Sequence, residues 1–587
     1  MKANMKMVTK LMFRLLPIQV ILAAVGSVNG IVSTFFATNY VGIEAMSAVG
    51  LYTPLALLIG AISIMLVGGS TILCGAYTGK NEQNSLQNAF SLDLVLSFLI
   101  AAVFVALYVV FSLFDLTGIF TRDVQVRPLF NRFLLGQAVG VIPLLLGNQL
   151  ASFLALENKG RLTVIASLVY IVVNVILNFV FVKVLRLEAF GLAIASSLGL
   201  WVFFAVQAQY FVSGKSHLRF SLRGLKWKDC GKIIKTGIPG AASQGYQTIR
   251  GFTLNWLIAG FVGSVGISAY AAAGNLLNIF WAIPSGMLAV SRLLLSVSIG
   301  EEDRHTLTDV MRVMFRRFLP LMGVVCIGIM ACAVPLTHIL FHDPAESVFK
   351  MTVWGVRLIP LCMPLSIILM HFVCYGQIQN RQLFVHVLSF LDGIACVVLA
   401  SVLTIKAFGM NGVYAAATVN GIVTTIVIIG YAWGKRKHFP RTMDDLMVVP
   451  EDFGASEDER MDLSIRNIDE VVSISRQVQA FCRERGIDER RSYLAGLSME
   501  EMAGNIVDHG FAKDRKKHSI DVRVVHKGDD VILRIKDDCV PFNPNERREM
   551  ADNDDITKNI GIRMVFRIAS DVQYQNIMGL NVLTIRT

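Results

Sequence analysis

Residues 411–460 read NGVYAAATVNGIVTTIVIIGYAWGKRKHFPRTMDDLMVVPEDFGASEDER. As far as Trp433 this is an apolar run of the length, about 20 residues, that a helix needs to cross a bilayer. The basic cluster Lys435-Arg436-Lys437 follows, and the chain then becomes polar and increasingly acidic, the composition of a linker. The chain changes solvent at this point. Everything before it reads as membrane-embedded, and everything after it as a small water-soluble domain.

On the N-terminal side of the break, apolar stretches of membrane-crossing length recur, about twelve in all. The whole chain of 587 residues is 54% hydrophobic and only 17% charged. Its mean hydropathy of +0.57 excludes an ordinary soluble protein, which could not cover its surface with so few charges. The net charge of +11 resides in basic residues between the apolar runs, so it reports membrane orientation rather than nucleic-acid binding. The nine cysteines form no C-x-x-C pair and several fall inside apolar spans, which excludes a disulfide framework or a zinc site. The lysines before the first apolar run precede a stretch with no small-residue cleavage site, read as a retained first helix.

The membrane part repeats itself. At a constant shift of 221 positions, Val41-Gly42 falls on Val262-Gly263 and Ser47-Ala48 on Ser268-Ala269. In the same register Gly79 falls on Gly300, Pro143 on Pro364 and Gly191 on Gly412. A shared register without insertion implies duplication. An even number of spans in each half implies parallel repeats about an axis along the membrane normal. The expected divisions are a first repeat over 1–220, a second over 221–434, a linker over 435–460 and a soluble domain over 461–587. The seventh span carries Gly237, Pro239, Gly240 and Gly245 and is the least regular. With the N-terminus inside, basic residues favour the inner segments by roughly three to one, as the positive-inside rule requires. Both termini are then cytoplasmic and the protein is a multi-pass component of the cell (inner) membrane.

The Leu16-Pro17 opening, VGIEAMSAVGLYTPL from Val41, the Gly68-Gly69 segment leading to GAYTGKNEQ and the second copy ending in GEEDRHT resemble the multidrug and toxin extrusion (MATE) transporters. That resemblance implies an all-α body of two six-helix lobes around a central cavity. It implies export of organic, often cationic compounds in exchange for H⁺ or Na⁺. Where many relatives carry an acidic residue in the first helix, this chain has Asn29, Ser33 and Thr34. Charges at bilayer depth face a cavity or a partner far more often than lipid, so Asp93, Arg250, Arg357 and Asp392 are the candidate transport-pathway residues. His371 and His386 are further titratable candidates. The competing reading is a structural pair, such as Asp392 with Arg357.

Beyond the linker, residues 468–485 and 488–509 show helical amphipathicity. The alternating runs SIDVRVVH and DVILRIKD, joined through Lys527-Gly528-Asp529, read as a hairpin. A short helix near Gly561 and the strands DVQYQ and NVLTIRT close the chain, giving an α+β sandwich. Within SMEEMAGNIVDHG, Glu501 and Asn505 are four apart and share a helical face. The clusters SMEEMAGNIVDHG, KDDCVPFNP and NIGIRMVFRIASDVQY together resemble the GHKL nucleotide-binding fold of histidine kinases and DNA gyrase, most closely its anti-sigma-factor branch. By that resemblance Asn505 ligates Mg²⁺ and Glu501 is the catalytic general base. Asp537 accepts from the adenine amino group, and the helix opened by Gly561 receives phosphate. The implied cofactor is Mg-ATP. Cys539 and Asn559 stand where the family commonly has glycine.

The expected function is therefore a secondary-active multidrug exporter whose cytoplasmic tail binds ATP and regulates it. Its partners are a small, organic cationic substrate, the lipid bilayer and a cytosolic regulatory protein. Two alternatives stay open: a membrane-anchored signalling protein with a serine-kinase-like tail, and a flippase for a lipid-linked saccharide. The absence of G-x-x-x-x-G-K-[ST] argues against the tail powering transport as an ABC ATPase would.

Overall fold

The computed structural model describes residues 2–587 apart from 37–39, 42, 120–125, 223–224, 342, 456–457, 512–517, 519, 528–529, 542, 545–559 and 578. The first repeat is built of α1 (Lys2–Phe36), α2 (Ile43–Gly79), α3 (Gln83–Leu113), α4 (Val126–Leu156), α5 (Gly160–Asn178) and α6 (Glu188–Val212). The second begins with α7 (Lys228–Phe261), α8 (Ser264–Asn278) and α9 (Ala282–Gly300). It continues through α10 (Arg304–Val313), α11 (Leu319–Ala331), α12 (Ala333–His338), α13 (Ser347–Leu358) and α14 (Met363–Ile378). Helices α15 (Gln382–Phe390), α16 (Cys396–Phe408) and α17 (Met410–Arg436) complete it.

Among the described residues eleven helical segments are long and apolar enough to cross a membrane. The remaining long helix, α7, has a polar composition and contains Pro239. It is the span whose glycines and proline make the sequence irregular. Side chains such as Ile327 and Leu403, 69% and 70% exposed, lie on the outside of the bundle. Such a surface is at home in hydrocarbon and not in water. The chain is a multi-pass membrane protein.

The two lobes meet where α2 crosses α9. A Cβ on Gly79 would overlap the backbone of Val297 and Gly300, one on Gly300 would overlap Ala76, and one on Gly75 would overlap Ser296. Glycine is what permits this backbone approach. The contacts are between repeat equivalents: 75 with 296, and 79 with 300, at the 221-residue shift. They mark the pseudo-twofold axis at the end of the body that carries the tail. Gly237 of α7, packed on Met65 of α2, extends the seam. The two lobes thus touch at the tail-side ends of α2 and α9.

The segment after α17 is pinned rather than loose. Helix α18 (Met443–Met447) begins with a capping box between Thr442 and Asp445. Arg304 donates to Asp444 at 2.9 Å and to the Pro450 carbonyl at 2.8 Å, and Arg381 donates to the carbonyls of Met447 and Val448. A linker of this composition reads as flexible because its partners lie far away in sequence.

The tail contains β1 (Arg460–Ile465), α19 (Ile468–Glu484), α20 (Glu489–Asn505), β2 (Ile520–Lys527), β3 (Asp530–Asp537), α21 (Ile560–Ile568), β4 (Asp571–Ile577) and β5 (Leu580–Arg586). Its five strands form an antiparallel sheet in the order β1-β2-β3-β5-β4. Strand β1 was not legible in the sequence, where this stretch read as linker running into a helix. It is a short edge strand with Arg460, Asp462 and Ser464 interleaved among apolar residues. Leu533, Ile535, Leu583 and Ile585 join the core under α19 and α20.

Alternate residues face the other way, and there the sheet meets the membrane body. Leu580 and Val582 pack into the body's core cluster, in a notch between Met7, Val8 and Leu11 of α1 and Leu294 and Val297 of α9. On the same face Arg523 pairs with Asp303 at 2.5 Å and Lys536 with Glu301 at 2.7 Å. Lys10 of α1 is paired with Asp538. The tail therefore grips α1 of the first lobe and the α9–α10 turn of the second. Burial pushes the Asp303 carboxyl up, but the Arg523 guanidinium and the Lys536 ammonium beside it hold it well below the usual carboxylate range.

Asp303 is 2% exposed, and removing one partner from a buried ion pair costs about 3–5 kcal/mol. D303N is accordingly expected to loosen the tail, seen as faster proteolysis within residues 437–460 of the full-length protein; wild-type resistance in D303N would refute the ionic docking. The depressed carboxyl contributes fully above the unfolded value of about 3.9. Wild-type resistance should thus persist from neutral pH to about 4 and weaken only in stronger acid.

Candidate functional site

The tail's pocket lies on the helix side of the sheet. It is a cavity of about 60 Å³ whose walls include Met502, Asn505, Ile506, Asp537, Tyr574 and Asn581. Asn505 is the last residue of α20, after which the backbone widens into a π-helical turn, Ile506–Gly510. Asp537 ends β3 and is 3% exposed. Its Oδ1 accepts from the Cys539 amide at 2.9 Å and from Asn581 Nδ2 at 2.8 Å. Burial raises the Asp537 carboxyl above its ordinary value, partly offset by the Asn581 hydrogen bond.

Asn581 is held in turn. Its Oδ1 accepts from Tyr574 Oη at 2.8 Å and from Asn576 Nδ2 at 2.9 Å. Sequence reasoning missed this residue because its place opposite Asp537 follows from the β3–β5 register. The structure brings Asn505 and Asp537 to one pocket. Glu501 is brought instead against Gly561, whose Cα its carboxylate covers. Neither Glu501 nor Gly561 is among the residues that line the cavity. Among the described residues no side-chain hydrogen bond engages Asn505, whose amide oxygen is of the donor type that Mg²⁺ takes. Asn559 and the stretch 545–559 lie outside the described residues.

A larger cavity of about 580 Å³ opens in the membrane body. Its walls come from α1, α2, α4, α5 and α6 of the first lobe and α9 of the second. They are chiefly apolar, with Gln19, Ser63, Asn148, Tyr170 and Ser285 among the polar groups and Arg292 as a charge. None of the four charged residues singled out in the sequence lines it. Asp93 is fully buried in α3, with neither carboxylate oxygen hydrogen-bonded. Arg250 donates to the Asp392 carbonyl at 3.0 Å, and Asn420 donates to Asp392 Oδ1 at 2.8 Å. Arg250, not Arg357, is thus the arginine at Asp392, because the π-helical turn Leu391–Ala395 turns it toward α7. Arg357 stacks on Trp354, 5.5 Å from the ring centre. His371 is buried between Ser291 Oγ and the Ile367 carbonyl, each 2.7 Å away, and His386 is half-buried in α15. Arg292 went unremarked in the sequence, although a lone arginine inside MLAVSRLLLSVSIG is itself a signal. The side chains of Asn29, Ser33 and Thr34 lie outside the described residues.

One cavity thus lies in the helical membrane body and the other in the α+β tail. Residues 17–180 match the MatE family, and residues 466–587 match the histidine kinase-like ATPase domain. The fold of the body is that of solved MATE structures. An outward-facing multidrug resistance MATE family transporter of the MOP superfamily superposes with a TM-score of 0.65 at 18% identity, covering 75% of this chain and 96% of that one. The Vibrio cholerae MATE transporter VcmN, in a mutant form, superposes at 0.67 and 15% identity, covering 74% and 98%. A curated relative, the probable multidrug resistance protein NorM of Bacillus subtilis (strain 168), is 26% identical over 196 residues, or 32% of this chain. The chain spans 42% of the length of that relative.

Removing a hydrogen bond to a carboxylate costs about 1.5–3 kcal/mol. Should the pocket take Mg-ATP, N581A in the full-length protein is expected to weaken that binding by about tenfold or more. Unchanged affinity by titration calorimetry would show that Asp537 needs no help from Asn581.

Proposed function

We propose that this protein is a secondary-active exporter of small organic molecules, driven by H⁺ or Na⁺ and regulated by Mg-ATP binding to its tail. In this reading the tail and both termini lie in the cytoplasm, where ATP is. The observation that carries the regulatory reading is the two-sidedness of one strand end. Asp537 faces the nucleotide pocket, and the next residue, Asp538, faces away and pairs with Lys10 of α1. Burial raises the Asp538 carboxyl while Lys10 and His518 lower it, leaving it below its ordinary value and charged. A nucleotide that moves Asp537 moves the anchor of the first lobe with it.

In this reading Asn505 supplies the protein's oxygen ligand to Mg²⁺, which neutralises the nucleotide phosphates when bound. Asp537 takes the adenine amino group. Glu501 and Gly561 flank the phosphate end, with Glu501 as general base should the tail hydrolyse ATP. Asp93, a buried carboxylate without a hydrogen-bond partner, is the position at which a coupling cation is taken up and released. The Arg250–Asp392–Asn420 group braces the second lobe, and Arg357 is held on Trp354. MATE resemblance implies organic cations as substrates, and NorM carries a multidrug-resistance name.

Purified protein in proteoliposomes should move substrate under an imposed H⁺ or Na⁺ gradient, and Mg-ATP on the tail side should change the rate at least about twofold. N505A should abolish the ATP effect and keep the basal rate. D93N should abolish gradient-driven movement. ATP-independent transport that N505A leaves untouched would remove the regulatory part, and gradient-independent transport would remove the antiporter.

A further inference from the structure

The helices that enclose the central cavity are short of negative charge. Helices α1, α4, α5 and α9 contain no Asp or Glu. In α2 the one carboxylate is Glu44, in its second position, and in α6 it is Glu188, in its first. Among the described residues, the side chains that line the cavity include one full charge, and it is positive: Arg292 of α9.

That arginine is uncompensated. Its Nε is sealed from solvent and has no hydrogen-bond partner. No carboxylate among the described residues forms an ion pair with it: the Cys374 thiol lies within its hydrogen-bonding reach and His371 is its other titratable neighbour. A guanidinium on the wall of a mostly apolar space is met best by an anion, which neutralises it where few other polar groups can. Its planar fork suits a carboxylate, sulfate or phosphate, which it can hold through two parallel bonds. Gln19, Ser63 and Asn148 offer neutral polar contacts on the facing lobe, and the apolar remainder suits a hydrophobic body.

We propose that the central cavity selects amphipathic organic anions, with the anionic group held by Arg292. This replaces the cationic substrate class implied by family resemblance. It rests on the exporter reading only for the direction in which the bound molecule moves. A soluble organic anion and an anionic lipid headgroup share the required chemistry, so the test includes both.

The test is equilibrium binding to purified full-length protein by fluorescence anisotropy, with fluorescein as the anionic probe and ethidium as a planar cationic one. Wild-type protein should bind fluorescein more tightly than ethidium. R292Q should weaken fluorescein about tenfold or more without weakening ethidium, and R292K should recover part of the loss. Displacement of fluorescein by short-chain phosphatidylglycerol at lower concentration than by unlabelled benzoate would assign the anion site to a lipid phosphate; the reverse order would assign it to a soluble anion. Tighter binding of ethidium than of fluorescein to the wild type overturns the proposal, and needs no variant to fold. So does R292Q that keeps wild-type fluorescein affinity. Binding that follows Arg292 without gradient-driven movement in proteoliposomes would count against the exporter reading and leave the anion site standing.

Discussion

The close crossing of α2 on α9 is the constraint from which the rest of the structure follows. Gly75 and Gly79 meet Ser296 and Gly300 with no room for a Cβ at any of the three glycines. Since these positions are repeat equivalents, the two lobes touch through the same surface on either side of the axis. This isologous contact joins the lobes at the tail-side ends of α2 and α9. It also places the α9–α10 turn, which begins at Gly300, at the base of the seam. The tail docks on that turn, so lobe packing and tail position share one anchor.

Duplication alone would offer the tail two equivalent landing sites. The α2–α3 turn reads Lys80-Asn81-Glu82, and its counterpart reads Glu301-Glu302-Asp303. The backbone is the same in kind, with Asn81 and Glu302 both at positive φ, 59° and 51°. Asparagine tolerates that conformation more readily than glutamate. Charge breaks the symmetry. The basic side chains Arg523, Arg534 and Lys536 project from one sheet face, and the acidic copy of the turn receives them. Charges this deeply buried contribute little net stability, since desolvation offsets much of their attraction. What they supply is a unique orientation: only one placement satisfies Asp303, Arg523 and Lys536 together.

The sheet then separates two chemistries by the alternation of a β-strand. Residues facing α19 and α20 form the tail's core and line its pocket, and their immediate neighbours face the membrane body. Asp537 and Asp538 are adjacent in sequence yet serve opposite sides. A soluble relative of this domain needs only the first face to be apolar; here Leu580 and Val582 make the second face an interface as well. The segment 443–450, bound through Arg304 and Arg381, completes the attachment without using the sheet.

By itself the sequence determined the two-part architecture, the repeat within the body, and the tail's helices and four of its strands, and it singled out Asn505 and Asp537, which the fold brings to one pocket. Each follows from local periodicity, from a register along the chain, or from short motifs whose members lie on one element. Tertiary structure alone decided the edge strand β1, the docking of the tail across both lobes, the role of Asn581, and which charges face the cavity. Asp93, Arg250, Arg357 and Asp392 stand out in an apolar sequence as clearly as Arg292 does. Hydropathy reports depth in the bilayer but not rotation about the helix axis, and rotation is what sends Arg292 to the cavity and the other four elsewhere.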